Sequence, residues 1–268
     1  MKSIIIGSSG NFSLQLQQLV TPENCLIIGK DKYKNGLEIN LDLENHIAQI
    51  NSSGEFEYLV NTVGVISKVA NYKEIMLWNY EFPKYLYRVC QQTGLKLITL
   101  GSVHENYSQL LPNNLYLQSK FKLKEFLDNK DFKDSIHFQF HTWYGGDKIH
   151  EQMFLGQVIN SIKHRSIFKL NSGDQKREYH HIEDDAKCLL KTLLKSSIGC
   201  YEISHGQPIT LRDISNSIFS FFNCEDYLQI SESPFLAEYY INYDVFTKSN
   251  CTFRPTIEGM ISYVQTKI

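Results

Sequence analysis

The chain has 268 residues, 42% of them hydrophobic and 13% aromatic, enough to bury a large core. That length favours one α/β domain with a small appended lobe over two independent domains. A formal net charge of −2, with Lys and Arg scattered and no basic run, removes any electrostatic case for a nucleic-acid partner. Only Lys2 precedes a short apolar run, too short for a signal peptide or a membrane span, so a soluble cytoplasmic protein with no membrane partner is expected. The six cysteines (Cys25, Cys90, Cys188, Cys200, Cys224, Cys251) are widely spaced and form no Cys-x-x-Cys. They read as buried reduced thiols, not as a zinc site or a redox pair.

In chain order, Lys2 to Gly7 is a β-branched run with the look of a buried parallel strand, followed at once by Gly7-Ser-Ser-Gly10-Asn-Phe-Ser13. Leu14, Leu16, Leu19 and Val20 then supply the apolar face of a helix. In this strand–turn–helix context Gly7 permits the tight turn and Gly10 leaves room for a diphosphate against the backbone. The helix start points free N–H groups and its positive dipole end at such an anion. After Pro22, Cys25 to Ile28 gives a second strand that ends at Gly29-Lys30-Asp31-Lys32. Asp31 suits the adenosine ribose hydroxyls of NAD, whereas Lys30 and Lys32 suit the 2′-phosphate of NADP, so both remain open. Leu37 to Leu43 looks like a third, edge strand, with Asp42 near the adenine, and His46 to Ile50 starts a helix. Glu57 to Gly64 is a fourth strand whose small end residues, Thr62, Val63 and Gly64, suit the floor of a cofactor site. Met76 to Gln92 is a helix with Leu77, Tyr80, Tyr85, Leu86 and Val89 toward the core, and Leu95 to Leu100 a fifth strand ending at Gly101-Ser102. This alternation predicts a Rossmann-type, doubly wound parallel sheet.

Tyr116 and Lys120 then stand four apart on the helix that runs to about Leu127. An ammonium beside a phenol lowers the phenol's pKa and makes an acid/base able to work near neutral pH. Ser102 can bond the same substrate oxygen. His150 to Lys163 is amphipathic and Phe168 to Leu170 a short strand. His180-His181-x-Glu183-Asp184-Asp185 offers metal-type donors, but no further ligand cluster stands out and no metal is expected. Ala186 to Leu194 is a helix with Leu189, Leu190, Leu193 and Leu194 on its core side, and Cys200 to Ser204 a strand. Thr210 caps the next helix with Asp213 at N3, its apolar face continuing through Ile214, Ile218 and Phe222. Arg254-Pro255 precedes the last helix, Thr256 to Thr266.

These motifs, in this order, resemble the NAD-dependent epimerase/dehydratase branch of the extended short-chain dehydrogenase/reductases, which acts on nucleotide sugars. Gly7 to Ser13 resembles that branch's Gly-x-x-Gly-x-x-Gly, with Ser13 in place of the third glycine. Trp143-Tyr144-Gly145-Gly146 is similar to its Asn-x-Tyr-Gly-Pro turn, with Thr142 at the asparagine. Residues 173 to 185 resemble its Gly-x-Gln-x-Arg-Asp-Phe-x-x-Val-x-Asp, the longest match, and imply that Asp184 or Asp185 caps a helix. The resemblance implies Ser102, Tyr116 and Lys120 as the catalytic set. It implies cofactor contacts from Gly7, Ser9, Gly10, Asn11, Phe12, Lys30, Asp31, Asp42, Leu43, Thr62, Val63, Gly64, Asn79, Tyr116, Lys120 and Trp143. Substrate contacts fall to Ser102, Thr142, Arg177 and Arg254, with Arg177 on the diphosphate. The implied domains are a dinucleotide-binding domain over 1–144 and a mixed substrate lobe over 145–268, some of its segments returning to the main sheet.

Three departures narrow the chemistry. Only thirteen residues separate Ser102 from Tyr116, Gln139 stands where an arginine is frequent, and Gly101-Ser102-Val103 replaces the Thr-Asp-Glu of the 4,6-dehydratases. Without that added acid and base, dehydration is disfavoured. The expected function is reduction of the 4-keto group of an NDP-4-keto-6-deoxyhexose by NADH or, slightly favoured, NADPH. A nucleotide-sugar 4-epimerase with retained NAD is the alternative, and a catalytically idle dinucleotide sensor or scaffold is the alternative of another class. A homodimer is expected by analogy with the family.

Overall fold

The computed structural model describes residues 2–36, 38–66, 71–110, 112–194, 198–232 and 249–268. The chain divides into two compact units, Met1–Phe140 with Leu189–Glu202, and His141–Cys188 with Ile203–Ile268.

The first unit is built on a six-stranded sheet. Its strands are β1 (Ser3–Ile6), β2 (Cys25–Ile28), β3 (Tyr58–Asn61), β4 (Lys96–Ser102), β5 (Ser135–Phe140) and β6 (Gly199–Ile203), in the spatial order β6-β5-β4-β3-β1-β2. The pairs β1–β2, β1–β3, β3–β4 and β4–β5 are all parallel. Every residue of β1, β3 and β5 is buried. Covered on both faces, β1 reads as the continuous apolar run seen in the sequence, with no alternation. The chain leaves β1 toward β2 on one side and later returns to β3 on the other. The strand order therefore reverses between β1 and β3, and a crevice opens at their carboxyl ends.

The connecting helices are α1 (Asn11–Leu19), α2 (Asp42–Ile50), α3 (Phe82–Thr93) and α4 (Leu115–Asp128). They close over a core that includes Ile4, Ile6, Leu59, Leu86, Leu97 and Leu127, with Tyr33, Trp78 and Phe82 in mutual ring contact. The expected helix from Met76 to Gln92 is interrupted. A wide π turn, Leu77–Glu81, lies between Tyr72–Met76 and α3. Pro83 accounts for it: in a regular α-helix its ring would clash with the carbonyl of Asn79.

The expected third strand is not part of the sheet. Leu37 lies outside the described residues; Glu38–Ile39 pairs antiparallel with Lys34–Asn35, and Asp42 and Leu43 already belong to α2. Asn40 decides this locally, its side chain accepting from the Asp42 N–H at 3.2 Å and donating to the Lys32 carbonyl at 2.9 Å. Leu43 and Ile47 are then buried four apart, as a helix requires.

In the second unit, α5 (Phe154–His164), α7 (Leu211–Phe221) and α8 (Thr256–Gln265) pack around Val158, Phe168, Ile214, Ile218, Phe219 and Met260. Thr142–Tyr144 pairs parallel with Tyr179–His181, Phe168–Leu170 parallel with Leu228–Ile230, and Lys176–Arg177 antiparallel with Ile209–Thr210. The Thr210 hydroxyl accepts from the Asp213 N–H at 3.0 Å, the expected cap of α7. Between His181 and the 195–197 segment runs α6 (Ile182–Leu193), which begins four residues before the expected Ala186. Leu189 and Leu193 are buried, but Leu194 lies past the helix end and is 76% exposed, so it is not core.

The cysteine expectation needs one correction. Cys188 on α6 and Cys251 form a disulfide, with Cα atoms 5.6 Å apart and a sequence separation of 63. Spacing rules miss such a pair because folding, not local sequence, brings it together. Cys90 and Cys224 are free and buried, Cys25 and Cys200 free and half-buried. Among the described residues, no helix is long and apolar enough to cross a membrane.

Candidate active site

The glycine turn follows β1 directly. Gly7 has φ +100°, and a Cβ there would lie 2.6 Å from the Thr62 hydroxyl and 3.2 Å from the Val63 side chain. Thr62 and Val63 follow β3, so the turn and the end of β3 touch at the reversal point of the sheet. The Thr62 hydroxyl fastens the contact by donating to the Ile6 carbonyl at 2.8 Å. Ser13, at the place of a third glycine, is fully buried; its hydroxyl donates to the Gly7 carbonyl and accepts from Gln17 at 2.9 Å. A serine is tolerated there because it satisfies a carbonyl that a glycine would leave to other donors.

Gly10 differs from Gly7. It caps α1 with φ −76° and ψ 148°, and no heavy atom lies within 4 Å of where its Cβ would be. Its side is open, in front of the helix start that carries Asn11 and Phe12. Phe12 is buried, its ring centroid 5.3 Å from that of Phe140, so it supports the turn from beneath. Beyond β2, Asp31 folds back over Gly29, where a Cβ would come 2.8 Å from its carboxylate and 3.9 Å from the Ser8 hydroxyl. Asp31 is thus beside the glycine turn, exposed, with Lys30 and Lys32 exposed on either side. Asp42 is exposed at the start of α2. Leu43 is not available as a side-chain contact: it is 1% exposed in the hydrophobic core.

Gly64 links this region to α4. A Cβ on it would lie 3.3 Å from Asn79 and 3.8 Å from the Lys120 Nζ. Asn79 itself is fully buried. Its carbonyl accepts from the Val65 N–H at 2.7 Å, and its amide donates to the Val65 carbonyl at 2.8 Å and the Ser119 hydroxyl at 3.1 Å. It therefore acts by clasping the segment after β3 to α4 and not as a cofactor contact.

Asn114 caps α4, accepting from the Leu117 N–H at 3.1 Å, and places Tyr116 and Lys120 on successive turns. The Lys120 ammonium lies 5.9 Å from the Tyr116 ring centre and donates to the Leu100 carbonyl, on β4, at 2.6 Å. Ser102 ends β4, its hydroxyl 3.3 Å from the His104 Nδ1 and its N–H donating to the Glu105 carboxylate at 3.2 Å. The first unit thus gathers Gly64, Lys120, Tyr116 and the carboxyl end of β4. The electrostatics differ from the expectation. Burial, then the Glu105 charge, pushes the Tyr116 phenol up, not down. Burial also lowers the Lys120 ammonium, against which Glu105 acts. At this degree of burial desolvation outweighs the ammonium's attraction for a phenolate.

Thr142, Trp143, Arg177 and Arg254 all belong to the second unit. The Thr142 N–H donates to the Glu178 carbonyl at 3.1 Å. The Trp143 indole donates to Asp185 at 2.5 Å. Arg177 is half-buried and donates to the Lys176 carbonyl at 2.9 Å. Arg254 is committed elsewhere: its guanidinium binds Glu183 and lies 3.3 Å from Asp184, and its N–H donates to Asp184 at 2.9 Å. These carboxylates are the partners that fix the Arg254 side chain in the second unit. Asp184 and Asp185 do not cap α6 either; the His181 Nδ1 accepts from the Glu183 N–H at 3.3 Å at its start.

Asp185 belongs to a buried network that sequence reading missed. His180 donates from Nε2 to Glu178 at 2.9 Å and from Nδ1 to Asp185 at 2.7 Å. Glu178 also accepts from the Ser204 hydroxyl at 2.9 Å and from the His205 and Gly206 N–H groups at 3.0 Å. Burial alone would discharge His180, but Asp185 and then Glu178 raise it to about 9. Burial likewise opposes the Glu178 charge, and the surrounding imidazoles bring it to about 2. His205, dominated by burial, falls to about 4. Glu178, His180 and His205 lie close enough to offer a metal three ligand atoms. Their donor atoms already bond within the protein, His205 through the Gln207 N–H at 3.0 Å and Thr256 at 3.3 Å.

Comparison with known proteins adds the following. A family model described as the NAD dependent epimerase/dehydratase family matches residues 14–203, more than two thirds of the chain, beginning just after the glycine turn. No curated protein sequence matches the chain significantly. Among solved structures, a dTDP-glucose 4,6-dehydratase from Streptomyces venezuelae with NAD and TYD bound has TM-score 0.76 at 13% identity, over 99% of this chain and 96% of that one. A UDP-N-acetylglucosamine 4-epimerase from Methanobrevibacter ruminantium M1, in complex with UDP-N-acetylmuramic acid, has TM-score 0.73 at 14% identity, over 99% and 96%. A dTDP-4-dehydrorhamnose reductase from Bacillus anthracis str. Ames, in complex with NADP, has TM-score 0.72 at 16% identity, over the whole of both chains. At these identities the likeness is one of fold.

Proposed function

Since the chain belongs to the NAD-dependent epimerase/dehydratase family, we propose that it is an NAD(P)-dependent nucleotide-sugar oxidoreductase reducing the 4-keto group of an NDP-4-keto-6-deoxyhexose. The observation that carries this reading is the gathering of Ser102, Tyr116, Lys120 and Gly64 at the carboxyl ends of β3 and β4, beside the Gly7–Gly10 turn. The residues fit a dinucleotide: Gly10 is open in front of a helix start, and Asp31 stands by the turn with two lysines. A reduced nicotinamide, when bound, supplies the hydride. Tyr116 gives a proton to the oxygen being reduced, Ser102 donates a hydrogen bond to that oxygen, and Lys120 holds the nicotinamide ribose. Arg177, with its guanidinium fork, serves the substrate diphosphate; Thr142 and Trp143 serve the substrate and the cofactor.

Ser102 and Val103, at the place of the Asp-Glu of the dehydratases, supply no such acid and base, which argues against dehydration. The test is to supply NADH or NADPH with a 4-keto nucleotide sugar and follow loss of the reduced-nicotinamide absorbance. Interconversion of 4-epimers without added cofactor would replace this reading with the epimerase. Tight dinucleotide binding with neither reaction would point to an idle sensor or scaffold.

The two glycines predict opposite outcomes. Gly7→Ala meets the Thr62 hydroxyl and a positive φ, and is expected to cost stability by about 1–3 kcal/mol, read in thermal unfolding. Gly10→Ala meets nothing in the protein and is expected to unfold at an unchanged temperature while losing dinucleotide affinity. Retained affinity in Gly10→Ala would remove the pyrophosphate from this turn.

A further inference from the structure

The turn that follows β4 sets an imidazole against Ser102. Val103–Leu110 begins directly after the strand, with Val103 and Glu105 buried and His104 between them half-buried. The Ser102 backbone is fixed by this turn: its N–H donates to the Glu105 carboxylate at 3.2 Å, and that carboxylate accepts from the Gln139 amide at 2.7 Å. The Ser102 side chain is fixed as well. Its Oγ accepts from the His104 backbone N–H at 3.3 Å, a local serine turn, and the His104 Nδ1 stands 3.3 Å from the same oxygen. Two nitrogens of one residue thus meet a single hydroxyl at the carboxyl end of β4. Hydrogen bonds at a reacting group are often this long before substrate binds, and tighten in the complex. A hydroxyl has one proton to give and two lone pairs to fill. The backbone N–H fills one lone pair. Whether Nδ1 fills the other or takes the proton decides where the Ser102 O–H points.

We propose that His104 is a positioning residue for keto reduction: it carries a proton on Nδ1 and donates a hydrogen bond to Ser102 Oγ, which leaves the Ser102 proton for the substrate oxygen. This rests on the reading of Ser102 above as a donor to that oxygen. With both lone pairs of Oγ filled by N–H groups of His104, the hydroxyl has a single role left, that of donor. Each bond that Oγ accepts also polarises the O–H, so its own bond strengthens to the oxygen on which negative charge grows as hydride arrives. A bare Nδ1 would do the reverse: it would accept the Ser102 proton and turn it away from the substrate. His104 gives up no proton in the reaction, and Tyr116 remains the acid.

Substitutions at this one position separate the roles. His104→Asn keeps an amide N–H able to stand where the Nδ1–H does, His104→Asp offers only acceptors, and His104→Ala offers neither. With a 4-keto nucleotide sugar, kcat is expected to fall about tenfold in His104→Ala and at least as far in His104→Asp, and to stay within about threefold of wild type in His104→Asn, with KM for the reduced nicotinamide unchanged throughout. A residue that acts only through Ser102 loses its effect when the hydroxyl is gone, so adding His104→Ala to Ser102→Ala should cost nothing further. A second measurement needs no turnover. With ring-¹⁵N histidine, and the His104 signals identified by their loss in His104→Asn, the spectrum at the pH of the assay should show Nδ1 protonated in the wild type. A bare Nδ1, undiminished kcat in His104→Ala, His104→Asp as active as His104→Asn, or a loss repeated in full in the Ser102→Ala background overturns the proposal. Wild-type protein that consumes no reduced nicotinamide overturns the oxidoreductase reading instead, and the ¹⁵N spectrum still decides which way the His104–Ser102 bond runs.

Discussion

Replacing Tyr116 by phenylalanine is expected to slow keto reduction by ~10²–10⁴-fold, the usual worth of a positioned general acid. The substitution removes one oxygen and keeps the ring, so the start of α4, the Asn114 cap and the Lys120 bond to Leu100 should persist. Dinucleotide affinity is therefore expected to stay nearly constant, read by quenching of the protein's tryptophan fluorescence or by calorimetry. The pH dependence carries further information. With the phenol held above its ordinary range, wild-type reduction should stay flat through neutrality and decline only in alkali, where the donor is lost. Normal turnover in Tyr116→Phe would take the proton transfer away from this residue; lost binding would give it a different role.

His180→Ala is expected to cost the second unit about 3–5 kcal/mol, the range for breaking a buried ion pair and stranding its partner. Here two partners are stranded, because Glu178 and Asp185 both bond His180 and all three side chains are fully buried. The same network sets a pH optimum for stability in the wild type. His180 is raised from 6.5 to about 9, so its contribution is complete below about pH 6.5 and is lost as pH rises through 9. His205 is lowered to about 4, so its contribution is complete above about pH 6.5 and is lost as pH falls through 4. Glu178, lowered to about 2, contributes above about pH 4.5 and loses that contribution as pH falls through 2. The three together place the highest melting temperature near pH 6.5, with a decline on both sides. In His180→Ala the alkaline decline should disappear. A melting temperature that climbs steadily from pH 6.5 to 9 in the wild type would contradict the assigned charge on His180.

Much of the first unit was legible because its signals are local. The apolar run of β1, the turn at Gly7 and Gly10, and the Tyr116–Lys120 spacing are each contained in a few residues, and the structure places all of them on the elements expected. Where reading failed, a short-range bond or a covalent constraint overrode the pattern. Asn40 turned a strand-like stretch into the start of α2, and Pro83 opened a π turn in what reads as one continuous helix. Leu43, implied as a cofactor contact by the resemblance alone, is turned into the core by α2. The pKa of Tyr116 was misjudged for a different reason. Spacing brings in the ammonium four residues away, but it shows neither the burial nor Glu105, which reaches the site from a separate turn.

Chain order, alternation of strand and helix, and the identity of the chemistry-bearing residues were set in the linear text, since periodicity and turn chemistry act over three to a dozen neighbours. Partnership was not. That Glu105 meets His137, that Asp185 meets both His180 and Trp143, that Arg254 is taken by Glu183 and Asp184, and that Cys188 joins Cys251 followed only once the chain had packed. Such contacts bridge up to about seventy positions, and their energies depend on desolvation, which no stretch of letters contains.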